Sequence, residues 1–199
     1  INLQPDVVYA RYPFPFFGVK RAFSSVCPYI IEINSDDLTE YGLKNKLTGI
    51  YNQIFRKRLL KGAAGLSFIS KELSVCSAFE WYKGKSTVVS NSIMCDDFPF
   101  SLNTKNNIPN ICFIGSPNQS WHGLDKLNVL IERYPQWQFH IIGPNKEESL
   151  AAGLYDAQNI NFHGYLMGNE AKSLLLTMDV GISTLALHRN KMDEASPLK

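Results

Sequence analysis

Short apolar runs rich in β-branched and aromatic residues alternate along this chain with longer segments whose apolar positions recur at spacings of three and four. That alternation is the pattern of βα units laid on a parallel sheet. In the first half, 6–12, 29–33, 66–70 and 86–89 read as strands. Between them fall a short helix ending near Val26, a long helix over 42–61 and a helix over 71–82. The long helix carries Leu43, Leu47, Ile50, Ile54, Phe55 and Leu59 as an apolar stripe, the usual mark of a face turned to a core. In the second half, strands are expected at 111–114, 138–142, 159–162 and 180–184, with helices near 123–133, 146–155 and 170–178. An irregular loop over 185–193 leads into a helix start at 194–199. Between 96 and 109 the composition shifts to Asn, Ser, Pro and Thr without helical period, which reads as a linker. The expectation is therefore an α/β fold of two parallel-sheet domains, each partial, over 1–95 and 110–199.

Composition narrows this picture. An apolar fraction of 45% over 199 residues argues against disorder and a fibrous fold, and a net charge of +2 is too small to indicate a nucleic-acid partner. No apolar run reaches the roughly 18 to 20 residues that span a bilayer. Cys27, Cys76, Cys95 and Cys112 form no C-x-x-C pair, and all but Cys95 sit in or beside apolar stretches, where a reduced cysteine packs as a small hydrophobe. These features lead to the expectation of a soluble chain in a reducing cytoplasm. The chain opens at Ile1 with neither an initiator methionine nor a signal-peptide pattern, and reads as a fragment.

The candidate chemistry lies where the strands end. In an open parallel sheet, ligands bind beyond the carboxyl ends of the strands, where glycine lets backbone approach the ligand and helix N-termini attract anions. Three strands of the second half run into Gly115-Ser116, Gly143-Pro144 and His163-Gly164. Taken singly these are ordinary turn glycines; in series they suggest a ligand edge. Neither a Walker A loop nor a G-x-G-x-x-G is present, which removes the main support for an ATPase or a nicotinamide dehydrogenase.

A resemblance is carried by Ile111-Cys112-Phe113-Ile114-Gly115-Ser116 followed by Trp121-His122-Gly123-Leu124-Asp125-Lys126-Leu127. These segments resemble the opening of the nucleotide-sugar domain of retaining, family 4-like glycosyltransferases of the GT-B fold, a pair of Rossmann-like domains. Phe139-His140-Ile141-Ile142-Gly143, Asn161-Phe162-His163-Gly164-Tyr165 and Asp179-Val180-Gly181-Ile182 are similar to later parts of that domain. Glu194-Ala195-Ser196-Pro197-Leu198-Lys199 resembles the start of the family's E-x7-E motif, whose second glutamate would fall three residues past Lys199. Upstream, Pro5-Asp6-Val7-Val8-Tyr9-Ala10-Arg11-Tyr12, Ile31-Glu32-Ile33-Asn34 and Val89-Ser90-Asn91-Ser92-Ile93 resemble landmarks of the acceptor domain, with Asn91-Ser92 where the family commonly has Asn-Gly. The family's N-terminal strand and Gly-rich loop would precede Ile1.

The resemblance implies transfer of a sugar from a nucleotide-sugar donor to a glycan or lipid-linked acceptor with retention of configuration, in cell-surface polysaccharide biosynthesis. Such an enzyme must stabilise charge growing on a departing nucleoside diphosphate, and backbone amides at a helix start together with a cation do this. By resemblance, Gly115, Ser116, His122, Gly123, Gly143, Ser196, Leu198 and Lys199 would bind the donor, Pro197 offering no N–H. Glu194 would hold hydroxyls of the donor sugar, and with Asn34 it completes the pair assigned to catalysis. Without the family context, Glu194 and Ser196 read equally as a helix cap. Two departures stand out. Ser116 and His122 occupy places where the family often has an arginine and a lysine, and a histidine beside Trp121 is as readily structural. Asn34 stands where many members have a histidine, and asparagine cannot act as a base; the leaving phosphate is thought to serve as base in the family. Arg11, Glu32 and Glu40 are the acceptor-side candidates, with a solvated loop as the plainer reading of Glu32, Asn34 and Glu40.

No D-x-D pair is present, and Asp36-Asp37 and Asp96-Asp97 fall in loops without a third oxygen ligand at suitable spacing, so neither a metal nor a cofactor beyond the nucleotide-sugar substrate is expected. The helix over 42–61 carries Lys44, Lys46, Arg56, Lys57, Arg58 and Lys61. A solvated basic face is the simple reading, and peripheral contact with the inner, cytoplasmic face of the membrane is the sharper one. Two alternatives to a transferase remain: a nucleotide-sugar epimerase of the same fold, for which no compelling acid and base pair is found, and a sugar-nucleotide-binding remnant without turnover.

Overall fold

A computed structural model describes residues 4–92 and 106–191. The chain divides into two compact units, Ile1–Asn91 and Ser92–Lys199. Each is an α/β unit built on a four-stranded, all-parallel sheet.

The first sheet runs in the order β1 (Val8–Arg11), β2 (Tyr29–Ile33), β3 (Gly65–Phe68), β4 (Ser86–Val88). Because side chains alternate along a strand, Val8, Ala10, Tyr29, Ile31, Ile33, Leu66 and Phe68 gather in one core with Leu59, Leu60 and Phe79. Tyr9, Arg11 and Glu32 stand at the alternate positions. Between the strands lie α1 (Val19–Ser24), α2 (Asp37–Lys44), α3 (Lys46–Leu60) and α4 (Lys71–Val75).

The long helix expected over 42–61 is thus two helices. At Asn45 the backbone is extended, φ −166° and ψ 159°, and the side-chain Oδ1 accepts from Thr48 N at 2.8 Å, an N-cap that starts α3 afresh. Asp36 and Asp37, expected in a loop, are the cap and first residue of α2: Asp36 Oδ1 accepts from Leu38 N at 3.0 Å. Apart from Leu59, which is buried as expected, the apolar stripe is also turned the other way. Leu43, Leu47, Ile50, Ile54 and Phe55 are exposed, and the buried face of α3 is Asn52, Arg56, Leu59 and Leu60. A polar cluster explains the reversal, since Arg56 Nε and Nη2 both donate to the Asp37 carboxylate at 2.6 Å and Asn52 Nδ2 donates to Asp37 Oδ2 at 2.6 Å. The helix expected over 71–82 ends at Val75, because the Ala78 carbonyl that a longer helix would use internally accepts from Arg56 Nη1 and Trp81 Nε1.

The second sheet has the order β7 (Ile160–Gly164), β6 (Gln138–Ile142), β5 (Asn110–Ile114), β8 (Val180–Ile182). Ile111, Phe113, Phe139, Ile141 and Ile160 form its core with Leu124, Leu127, Ile131 and Leu154. Helices α5 (Asn128–Arg133), α6 (Lys146–Ala151) and α7 (Gly168–Leu175) link the strands. The segment expected as one helix over 123–133 begins as a 3-10 turn, Leu124–Leu127, and the loop expected over 185–193 contains another, Leu187–Asn190. Cys112 is buried, which raises its thiol pKa to about 11, in keeping with a packing role. Cys95, most of the 96–109 linker and the 194–199 helix start lie outside the described residues.

Away from that core, His140 Nδ1 and His163 Nε2 are 2.9 Å apart, and His140 Nε2 lies 3.3 Å from Asn110 Oδ1. Burial depresses the pKa of both rings, and for His140 the neighbouring His163 adds to the effect. With folded pKa values below the unfolded value of about 6.5, the unfolded chain binds more protons. Their contribution is complete above about pH 6.5 and is lost as pH falls toward the folded values. The urea midpoint of the second unit should therefore drop between pH 7.5 and 5.5. It should drop less in His163→Gln, and equal drops in the two proteins would show that the pair does not carry the effect.

Candidate functional site

Strand order in the second sheet reverses at β5: the chain moves outward through β6 and β7, then returns to lay β8 on the other side of β5. Such a reversal of strand order is a switch point, which is where open α/β sheets bind ligands, and the loops leaving β5 and β8 start on either side of it. Here the two loops are locked together. Leu185 N donates to His122 O at 3.0 Å and Ala186 N to Trp121 O at 3.2 Å. Arg189 grips Asp125 with both terminal nitrogens, at 2.8 and 2.7 Å, and also donates to Ser120 O at 3.0 Å. Hydrogen bonds from Arg189 hold the Asp125 carboxyl below its usual pKa.

The glycines singled out by sequence meet along the carboxyl edge. Gly143 N donates to Gly164 O at 2.8 Å and Gly115 N donates to Ile142 O at 3.0 Å. Gly143 has φ +109°, and a Cβ there would come within 1.7 Å of the Gly115 carbonyl oxygen. Only glycine permits this approach. Beside it opens a cavity of about 240 Å³ lined by Ile114, Gly115, Ser116, Ile142, Gly143, Tyr165 and Leu166. Ser116 and Tyr165, both exposed, bring hydroxyl groups to its lining. His122 is only 4% exposed, closes the 3-10 turn Ser120–His122, and packs edge-on against Phe113 and Trp121. Its Nδ1 faces the Gly115 turn, so close that a Cβ on Gly115 would lie 2.8 Å from it. Gly123, φ +70°, joins that turn to the next. In the first unit a larger cavity of about 370 Å³ lies at the amino ends of β3 and β4, among Lys61, Trp81, Tyr82 and Lys85, and no sequence-predicted site residue lines it.

No protein-family model matches the chain, and no curated protein matches its sequence. Solved structures do share its fold. Sucrose-phosphate synthase from Thermosynechococcus elongatus superposes with a TM-score of 0.65 at 13% identity, over 88% of this chain and 49% of that one. A glycosyltransferase from Rickettsia africae gives a TM-score of 0.56 at 15% identity, over 89% and 51%. A Staphylococcus aureus TarM mutant, in complex with fondaparinux, α-GlcNAc-glycerol and UDP, gives 0.56 at 9% identity, over 79% and 32%. The chain spans about half the length of the first two of these structures. The likeness establishes the fold, a pair of Rossmann-like α/β units with parallel sheets.

On the first sheet, Arg11 ends β1 in register with Glu32 of β2. Tyr9 Oη donates to Glu32 Oε2 and Asn34 Nδ2 to Glu32 Oε1, each at 2.8 Å, so both carboxylate oxygens are oriented. Asn34 Oδ1 is buried and has no hydrogen-bond partner among the described residues, leaving an acceptor for a hydroxyl donor. Glu40 belongs to a separate pairing on α2: burial raises its pKa, but hydrogen bonds from Ser35 and Lys44 and the charges of Lys44 and Arg11 outweigh this and hold it below the usual value. Glu194, Ser196, Leu198 and Lys199 lie outside the described residues. Among the described residues, no group of three or more His, Cys, Asp or Glu could hold a metal ion, and no helix is long and apolar enough to cross a membrane. Sequence reasoning missed Tyr9, Tyr165 and the Asp125–Arg189 clasp; the clasp partners are 64 residues apart with no local signal to join them.

Proposed function

We propose that the chain is part of a glycosyltransferase that binds the diphosphate of a nucleotide-sugar donor over Gly115, Ser116 and Gly143. The observation carrying this reading is the close approach of Gly143 to Gly115, which strips the carboxyl edge of side chains beside a cavity of about 240 Å³. An edge of this kind suits a diphosphate, because phosphate oxygens can approach without a side chain intervening; with the Gly115 and Gly143 N–H groups already bonded to Ile142 O and Gly164 O, the phosphate contacts would fall to Ser116 and the loop beyond it. The fold shared with a structure described as a glycosyltransferase, and with one holding UDP, supports the same reading. In this proposal Ser196, Leu198 and Lys199 complete the phosphate contacts, Glu194 holds the donor sugar, and His122 supports the Gly115 turn from beneath. Arg11, Glu32 and Asn34 would read hydroxyls of a glycan or lipid-linked acceptor, with the leaving phosphate serving as base and the anomeric configuration retained.

The test is direct. Titrating UDP, ADP or GDP into the chain should shift the amide resonances of Gly115, Ser116 and Gly143, and one base should bind best. Saturating diphosphate without a shift at those three amides would sink the donor assignment. Incubation with a panel of nucleotide sugars and acceptors then separates a transferase from an epimerase or a remnant that binds without turnover, and the product's anomeric coupling reports retention.

A further inference from the structure

Helix α3 presents its least expected residues to solvent. Leu47, Ile50 and Ile54, at i, i+3 and i+7, form one line; Leu47 is 81% and Ile54 64% exposed. The buried face, Asn52, Arg56, Leu59 and Leu60, lies on the opposite side of the helix. The apolar line therefore points straight away from the core, where a helix of a globular unit ordinarily carries its polar residues. Cations flank it: Lys46 and Lys57 on one side, Arg58 on the other, and Lys61 about two turns past Ile54. All four are exposed. The helix contains no Asp or Glu at all. Lys46 and Arg58 pair with no described carboxylate, and Lys57 and Lys61 lie over the Trp81 ring at 5.3 and 6.0 Å.

An aromatic turn extends this surface. Phe14 stacks on Tyr51 of α3 at 5.2 Å, Tyr51 meets Phe55 at 4.5 Å, and Phe16 packs on Phe14 at 4.7 Å. Anchored in this way, the turn leaves Phe16 largely exposed and Phe17 wholly so. The turn comes after β1 at the carboxyl edge of the first sheet, the edge that bears Arg11 and Glu32.

We propose that α3 and the 14–17 turn form a docking surface for an anionic lipid bilayer. Leu47, Ile50, Ile54 and Phe17 would enter the interface while Lys46, Lys57, Arg58 and Lys61 extend to lipid phosphates. Two physical features favour lipid over protein. The helix sets exposed cations beside its apolar line and has no acidic residue, a charge that complements anionic headgroups. Long basic side chains beside an apolar line can also lay their stems along the acyl boundary and keep their charges at the headgroups. The inference stands apart from the donor reading, since it needs only the first unit, and under that reading it would bring a lipid-linked acceptor to the edge carrying Arg11 and Glu32.

The experiment is co-sedimentation of the chain with vesicles of phosphatidylcholine alone or mixed with phosphatidylglycerol. Binding is expected only with phosphatidylglycerol and should weaken as salt is raised. Lys46→Glu/Arg58→Glu should lower the partition coefficient by about fivefold or more per residue. Leu47→Gln/Ile50→Gln/Ile54→Gln should abolish measurable binding. Phe17→Ser, at a wholly exposed position outside α3, should reduce binding without affecting that helix. All these positions face outward, so thermal melts should match the parent chain and show that lost binding is not lost folding. Equal binding to both vesicle types, or parent-like binding by the triple variant, would overturn the proposal. So would gel filtration showing a dimer that the triple variant dissolves, since the surface would then belong to a second copy of this chain.

Discussion

Replacing Arg56 by methionine is expected to destabilise the first unit by about 3 to 5 kcal/mol, because it leaves Asp37 buried and unpaired. Arg56 and Asp37 are 1% and 2% exposed, so water cannot take over the lost contacts. The guanidinium fills three roles together. It binds both Asp37 oxygens at 2.6 Å, donates through Nη1 to Ala78 O at 2.8 Å, and lies over the Phe79 ring at 4.8 Å. Asn52 bridges the pair to Tyr12, whose hydroxyl donates to Asn52 Oδ1 at 2.8 Å. Methionine replaces only the stem. The reverse single change, Asp37→Leu, strands the cation instead and should cost a similar amount. The double variant Asp37→Leu/Arg56→Met should cost clearly less than the sum, since no buried charge remains, although Asn52 and Ala78 lose partners. Urea unfolding of the four proteins gives the coupling; a loss below about 1 kcal/mol for Arg56→Met would mean that the site relaxes to admit water.

That network marks where sequence reading and structure part. Strands were legible because fully or half-buried β-runs such as 29–33 and 138–142 carry a local signal, and both match the observed β2 and β6 end to end. The orientation of α3 was not legible. A period of three to four identifies a helix with an apolar face, but which face turns inward depends on partners distant in sequence, and Asp37 lies 19 residues from Arg56. Once Asp37 occupies the interior, Arg56 and Asn52 must face it, and the apolar line is driven outward. The break at Asn45 did have a local signal, an asparagine able to cap a new helix, hidden by an apolar rhythm that runs on through it. At the candidate site the glycines were legible as breaks after strands. Their mutual contact was not, because it depends on register between β5 and β6, and the 64-residue reach of Arg189 to Asp125 depends on β8 returning beside β5.

Gly143→Ala should be the most damaging small substitution in the second unit, and Gly164→Ala shows why. Both glycines have positive φ, +109° and +63°, and both sit at the carboxyl edge of the same sheet. At Gly164 a new Cβ would meet nothing within 4 Å, so the cost reduces to placing an L-residue in the left-handed region, about 1 to 2 kcal/mol. At Gly143 the Cβ would lie 1.7 Å from the Gly115 carbonyl oxygen, far inside any contact distance, and the obstacle is backbone that cannot rotate away. Relief requires moving the 115–116 segment. That motion strains the Gly115 N to Ile142 O bond at 3.0 Å and disturbs His122, whose Nδ1 faces the same turn. With the conformational cost added, Gly143→Ala should lose about 3 kcal/mol or more, against about 1 to 2 kcal/mol for Gly164→Ala. Denaturant melts of the two variants measure the difference. If the donor reading holds, any folded Gly143→Ala protein should also lose the diphosphate-dependent shifts at Gly115 and Ser116, while Gly164→Ala keeps them. Equal stability losses would show that the Gly115 turn yields freely, and an approach that yields freely cannot be what shapes the site.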